Sequence, residues 1–377
     1  MGNAMSTHKV PVMVIDNIVK HPNADKLEIV QLAGWECVTQ KDKYKVGQMI
    51  VYVPVDSILP WELEQQLFPP GSKIKLGKSR VRSIKIRGYV SQGLILSPEE
   101  VKLENYFDGM DVMEHLGIKK YEPPLKHTPG VMQVKTAKRH VNKNFKEYTD
   151  LENFKWYNRM FQEGLEEVVI SEKLHGTNAR YGWVKHCNPG LLKRIGMKLG
   201  LVSTHEFCWG SRRVQIQNKW FYKGYYGFDV YTKILKQYNL DKVIPKGYVV
   251  YGEIVGDGIQ KNFNYGCGPG VHEFYIFDIA RDDGSYLSFK EYENVLMEMQ
   301  LKSRKIRLKV APILYLGMYS EENLMAVRDG KSTITENHIR EGVVIKPTVE
   351  SECSIGRKIL KVISPDYYLD NDNSDFH

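Results

Sequence analysis

A chain of 377 residues is longer than one typical hydrophobic core organises, so two domains are expected. The 42% hydrophobic content suits a globular protein, and no uninterrupted apolar run approaches the length that spans a bilayer. Five scattered cysteines without a C-x-x-C spacing argue against a thiolate zinc site and for a reducing compartment, while the formal charge of +8 favours a polyanionic partner.

The N-terminus lacks the basic-then-apolar plan of a secretory signal. Met1 to Ser6 formally match an N-myristoylation pattern, but so short a match arises by chance and Met5 is an alternative start, so no membrane partner is expected. A monomer in the cytoplasm or another intracellular reducing compartment is the expectation.

From Val10 to Pro60 short strands alternate with turn residues. Val12 to Ile15 comes first, then His21-Pro22-Asn23-Ala24-Asp25, then Leu27 to Leu32. Met49 to Val55 is apolar and β-branched enough to read as a core strand. Strands at this spacing suggest a small β-barrel. Ser83 to Arg87 alternates, with Ile84 and Ile86 on one face and Lys85 and Arg87 on the other. The stretch from Lys73 to Arg87 carries seven basic residues and no acidic one, a first pointer to nucleic acid that a solvated strand face explains equally well.

The barrel ends near Gly117-Ile118, which sets an N-terminal domain at residues 1–120. Pro123-Pro124, Pro129-Gly130 and the basic run from Lys135 to Lys146 read as a linker over 121–147. A second domain then covers 148–377. Within it, Leu151 to Phe161 is rich in aromatics and reads as a short helix packed on that domain. The acidic end from Asp370 to His377 is expected to fray.

Ser171-Glu172-Lys173-Leu174-His175-Gly176-Thr177-Asn178 follows Glu166 to Ile170, an apolar run that reads as a buried strand. A lysine at the mouth of a sheet, before a glycine where the chain can turn tightly, is placed to meet a phosphate. From these residues alone a solvent-exposed strand-end lysine fits as well. Four further stretches follow in order: Trp209-Gly210-Ser211-Arg212-Arg213; Tyr248 to Glu253, an apolar strand ending in a carboxylate; Phe274 to Ile279, an aromatic strand; and Glu341 to Lys346. Lys358-Ile359-Leu360-Lys361-Val362 closes the set.

Two resemblances rest on these residues. His21 to Glu28, the strand ending at Val55 and Arg87 to Leu94 resemble an oligonucleotide-binding fold, as found in tRNA-binding modules and in the N-terminal domain of the RNA ligase 5 group. That half alone does not separate a binding module from an enzyme. The second-half set resembles the motifs of the ATP-dependent RNA ligases, within the covalent nucleotidyltransferase superfamily that also holds DNA ligases and capping enzymes. The Glu172 to Asn178 wording is most similar to the RNA ligase 2 group.

The resemblance implies an α+β fold: an oligonucleotide-binding β-barrel followed by a nucleotidyltransferase domain of antiparallel sheets with flanking helices. It implies Lys173 as the nucleophile that takes AMP from ATP. Glu253 and Glu341 would belong to the site of Mg²⁺ or Mn²⁺ and of the nucleotide. Phe277 would stack on adenine, with Phe274 as the alternative, and Glu172, His175, Gly176 and Asn178 would line the nucleotide. Arg212, Lys346 and Lys361 would meet its phosphates; Arg180 has the same potential. The partner would be RNA with 3′-hydroxyl and 5′-phosphate ends, contacted by Lys85 and Arg87.

Physical chemistry agrees with that assignment. A free lysine titrates near ~10.4, so a lysine nucleophile requires selective loss of its proton, aided by nearby cations or a metal. Two departures stand out. His175 occupies a position where many superfamily members have aspartate, and Lys361 is followed by Val362 and Ile363 where the family has a second lysine, a charge that either Lys358 supplies or this site lacks. The rival readings are a related DNA ligase, a GTP-dependent capping enzyme, and a noncatalytic RNA-binding protein with a degenerate ligase domain.

Overall fold

The computed structural model describes residues 8–72, 76–121, 141–216, 226–304, 306–353 and 355–369. The first seven residues, residues 73–75 of the basic stretch, most of the expected linker and the acidic end lie outside them. Among the described residues one compact unit holds 8–121, 152–158 and 365–369, and a second holds 141–151 and 159–364.

The first unit is built around the strand Met49–Val53, which pairs antiparallel with Val12–Val14 on one side and Leu94–Leu96 on the other. Alternate residues point to opposite faces. Val51 and Val53 therefore enter one apolar cluster with Val12 and Leu96, while Ile50 and Tyr52 enter another with Val30, Leu32 and Trp35. Both faces are covered, which is why this strand is apolar throughout. Asn17–Lys20, Leu27–Leu32 and Trp35–Gln40 form a second antiparallel sheet.

Ile84–Ile86 and Tyr89–Ser91 form a hairpin whose two turn residues, Arg87 and Gly88, both have positive φ, at 48° and 89°. That backbone matches the twist of the flanking strands. His21 and Asn23 hold this turn from outside. The His21 Nε2 lies 3.1 Å from the Ile86 carbonyl, and the Asn23 side-chain amide donates to the Arg87 carbonyl at 3.0 Å. The alternation of Ser83 to Arg87 does mark a strand, but its apolar face is not covered, because Ile84 is 47% exposed.

Residues 151–161 do not form the expected helix on the second domain. They contain the two-residue strand Glu152–Asn153 and two 3₁₀ turns, Phe154–Trp156 and Asn158–Met160, the first capped by Asn153, whose side chain accepts from the Lys155 amide at 3.0 Å. Trp156 packs on Trp35 at 5.5 Å and on Tyr52 at 5.8 Å, so its aromatic surface completes the core of the first unit.

The second unit contains two largely antiparallel sheets. In one, the strands run in the order Leu360–Ile363, Gly342–Pro347, Glu167–Lys173, Ile313–Met318. In the other the order is His205–Ser211, Thr177–Lys185, Tyr248–Gly256, His272–Arg281, Lys309–Val310, with only the last pair parallel. The helices Val230–Tyr238 and Phe289–Lys302 cover the second sheet with Tyr231, Ile234, Tyr292 and Met299. The second helix starts at a capping box between Ser288 and Glu291. Only Leu174, His175 and Gly176 connect the Lys173 strand of one sheet to the Thr177 strand of the other.

Candidate active site

Lys173 ends its strand opposite Gly342, which brings Glu341 beside it. Its Nζ lies 2.5 Å from Glu341 Oε1, with the lysine side chain 12% exposed and the glutamate 1%. The pairings Ser171 with Val344, Val169 with Lys346, and Val344 with Lys361 carry the same face along the sheet. With side chains alternating, Lys173, Lys346 and Lys361 share that face. Glu172 points the other way. Its Oε2 accepts from the Thr333 amide at 2.9 Å and hydroxyl at 2.6 Å, with Arg340 Nε at 3.6 Å, while its buried Oε1 has no hydrogen-bond partner among the described residues.

The second sheet brings its own residues to the junction. Asn178, Glu253 and Tyr275 stand directly opposite one another on three adjacent strands. Glu253 Oε1 accepts from the Gly176 amide at 3.1 Å. Burial is the main reason its carboxyl is pushed up to about 8; Glu341 adds to the rise and Lys173 opposes it. The buried Asn178 Oδ1 has no hydrogen-bond partner among the described residues.

Gly176 is required by space. A Cβ there would stand 2.2 Å from the Ile254 carbonyl oxygen, so a tight turn is not the reason for the glycine. His175 is buried with its ring edge-on to Phe263 at 4.6 Å and its Nδ1 4.0 Å from Glu341 Oε2. Where many superfamily members carry a carboxylate, this chain places an imidazole next to one.

On the His272–Arg281 strand, Ile276 pairs with Gly252 and Asp278 with Tyr251, leaving Phe277 as the extra residue of a bulge. Phe277 is half-buried and meets Tyr148 edge-on at 4.9 Å. Phe274 is 1% exposed and packs so closely on Gly252 that a Cβ there would lie 2.4 Å from its ring. The alternative that gave Phe274 the stacking role is therefore withdrawn.

Asp278 organises a buried cluster that the motifs do not reveal. Its Oδ1 accepts from Lys346 Nζ at 2.9 Å, and its Oδ2 accepts from Arg357 Nη1 at 2.7 Å and Tyr148 Oη at 2.9 Å. Burial acts to raise the Asp278 pKa, but Arg357 and Lys346 outweigh it and hold the carboxyl below its ordinary value. The Arg357 guanidinium lies 3.6 Å from the centre of the Tyr286 ring. A lone acid inside the aromatic run Phe274 to Ile279, and an arginine next to Lys358, were the available sequence signals.

Other expected contributors divide. Lys358 lies 2.7 Å from both oxygens of Glu166, beyond the opposite end of the strand from Lys173, so it does not replace the missing lysine. Arg357 is the cation brought to the neighbourhood of Lys346 instead. Arg180 is 1% exposed and donates to the carbonyls of Phe145 at 2.6 Å and Ser211 at 3.1 Å, which removes it from the polyanion binders. Arg212 pairs with Asp150 and lies 3.4 Å from the Tyr148 carbonyl. Lys361 is partly exposed on the lysine-bearing face. In the first unit, Lys85 and Arg87 are exposed on the hairpin.

The motif-bearing region coincides with a known family. The RNA ligase family model matches residues 166–363, more than half of the chain. This chain belongs to the RNA ligase family. An OB-fold domain model matches residues 10–98, so the first unit is an oligonucleotide-binding fold and the α+β expectation holds. Among solved structures, Naegleria gruberi RNA ligase with PPi is 23% identical with a TM-score of 0.70, over 96% of this chain and 98% of that one. A mutant of the same enzyme with ATP and Mn is 22% identical with a TM-score of 0.69, over 95% and 98%. A mutant with AMP and Mn gives 22% and 0.69, over 96% and 98%. The likeness of fold therefore extends over nearly the whole chain.

The chemistry of the donors decides whether a divalent metal fits beside Lys173. Among the described residues no group of three or more His, Cys, Asp or Glu side chains forms a ready cage. Two carboxylates, Glu253 and Glu341, flank Lys173, and two carboxylates suit an ion that keeps several waters and completes its shell with substrate phosphate. The donor set fits such an ion.

Proposed function

We propose that this RNA ligase family member joins RNA 3′-hydroxyl and 5′-phosphate ends at the expense of ATP, through an AMP adduct on Lys173, in the repair of broken RNA. The observation that carries the reading is the position of Lys173 at the junction of two sheets, with Glu341 Oε1 at 2.5 Å and the buried Glu253 close enough for its carboxyl to feel the lysine charge. The Naegleria gruberi structures with ATP, AMP and Mn support the same ligands here.

The lysine must lose a proton before it can attack, and Glu341 is the acceptor already in contact with it. Nζ then bonds to the α-phosphorus of ATP as the bond to the departing pyrophosphate breaks. AMP passes from Nζ to a 5′-phosphate end, and the 3′-hydroxyl attacks that activated end and releases AMP. Lys346 and Lys361, on the same face as Lys173, and Arg212 neutralise phosphate charge that grows during transfer. Glu253 and Glu341 would hold a divalent ion, which supplies Lewis-acid stabilisation of phosphate charge when bound. Phe277 offers its exposed part to the base, and the Asn178 Oδ1, without a hydrogen-bond partner among the described residues, is an acceptor for nucleoside donors.

The test is a covalent one. Protein stripped of bound AMP is incubated with α-labelled ATP or GTP and Mg²⁺ or Mn²⁺, then denatured. Label from ATP that is lost in Lys173→Ala supports the reading. Label from GTP alone would favour a capping-type enzyme, and no label under any metal and pH would favour an RNA-binding protein without ligase chemistry.

A further inference from the structure

The three residues that carry the chain from Lys173 into the second sheet are gripped by a segment that no recognised motif includes. The Tyr265 hydroxyl accepts from the His175 amide at 2.7 Å. Gln260 Nε2 donates to the Gly176 carbonyl at 2.7 Å. The Phe263 ring packs on the His175 ring at 4.6 Å, and Glu253 takes the Gly176 amide from the strand that leads into this segment. Tyr265 is buried with φ at 52°, a left-handed backbone that a non-glycine residue adopts only where its surroundings hold it.

We propose that Gln260, Phe263 and Tyr265 are positioning residues that clamp the His175–Gly176 peptide and thereby set the angle of Lys173 at the reacting phosphorus. This rests on the reading of Lys173 as the nucleophile. The physical reason is the location of Lys173 on the last residue of its strand. Strand register fixes the lysine to Glu341 within its own sheet, whereas Glu253 lies on the sheet ahead, so the relation of the lysine to Glu253 and to a phosphate held beside it depends on a three-residue connector. Hydrogen bonds at the His175 amide, the Gly176 amide and the Gly176 carbonyl remove the rotations that would let the connector swing. A reacting group misplaced by about 1 Å loses on the order of 100-fold in rate, so a clamp of this kind acts on the chemical step rather than on nucleotide affinity.

The experiment measures single-turnover formation of the AMP adduct by the full chain across a range of ATP concentrations, for Tyr265→Phe and Gln260→Ala, with thermal melting beside it. Tyr265→Phe keeps the ring and deletes only the acceptor. Each variant is expected to lower the rate at saturating ATP about 10-fold or more, with the ATP concentration for half-maximal rate within about twofold of the parent and melting little changed. Wild-type rates in both variants would overturn the clamp, as would a defect confined to ATP affinity.

Amide hydrogen exchange separates this proposal from the one it rests on. Slow exchange at the His175 amide that becomes fast in Tyr265→Phe supports the clamp even in a chain that forms no adduct. Fast exchange there in the unaltered chain excludes it. If a variant melts early, the same exchange measured below its transition decides.

Discussion

Lys173 and Glu341 form a nearly buried ion pair, with Nζ 2.5 Å from Oε1, although 168 residues separate them in the chain. The antiparallel register that sets Lys173 against Gly342 creates this pair. Lys173→Ala should therefore cost on the order of 10³ or more in adduct formation. Glu341→Gln should also lose adduct while its melting stays closer to the parent than that of Glu341→Ala, because the amide still fills the site and can accept from Lys173. Denaturing gels after labelling, with melting curves, check both.

Glu253 makes a prediction about pH. Its carboxyl is raised to about 8 in the fold from an ordinary value of 4.5, mainly by burial. The folded chain therefore binds an extra proton between these limits. Its contribution to stability is full below about pH 4.5, falls as pH rises towards about 8 and is flat above that. In the presence of a chelator, urea midpoints of Glu253→Gln should gain on the parent across that window. Adduct formation that needs the ionised carboxylate should rise through about pH 8, and Glu253→Gln should lack that limb.

Asp278 should be among the most sensitive positions for folding. Removing its charge leaves Lys346 and Arg357 buried with less compensation. Breaking a buried pair by deleting one partner typically costs about 3–5 kcal/mol. Asp278→Ala should lose about that much in denaturant titrations. The double variant Asp278→Ala with Lys346→Met should lose less than the sum of the two singles; additive losses would deny the contact.

The hairpin of the first unit should act on RNA alone. Lys85→Glu with Arg87→Glu should weaken binding of single-stranded RNA and lower the slope of log affinity against log salt by about 1.4, which is two phosphate contacts at ~0.7 each. Adduct formation from ATP should be unchanged. An equal fall in adduct formation would mean that these residues serve the chemistry directly.

Much of this protein was legible before any coordinates. Continuous apolar runs marked the Met49–Val53, Glu167–Lys173 and Tyr248–Gly256 strands and alternation the Gly342–Pro347 strand, because the pattern follows from which faces are covered. The order of the motifs around Lys173 carried the family, since each motif lies on one short segment. What the sequence left open depends on contacts between distant segments. Trp156 completes the core of the first unit, Lys358 is taken by Glu166, and Arg180 is spent on backbone carbonyls, none of which local pattern reveals. Residue type alone determined that a lysine, two glutamates and an aromatic strand were available for phosphate chemistry. Only the tertiary structure decided that Glu341 receives Lys173, that Phe277 is the extra residue of a bulge set against Tyr148, and that Gln260 and Tyr265 hold the connector between the sheets. The physical reason is that strand register and sheet packing bring such partners together, and both are set by the whole core.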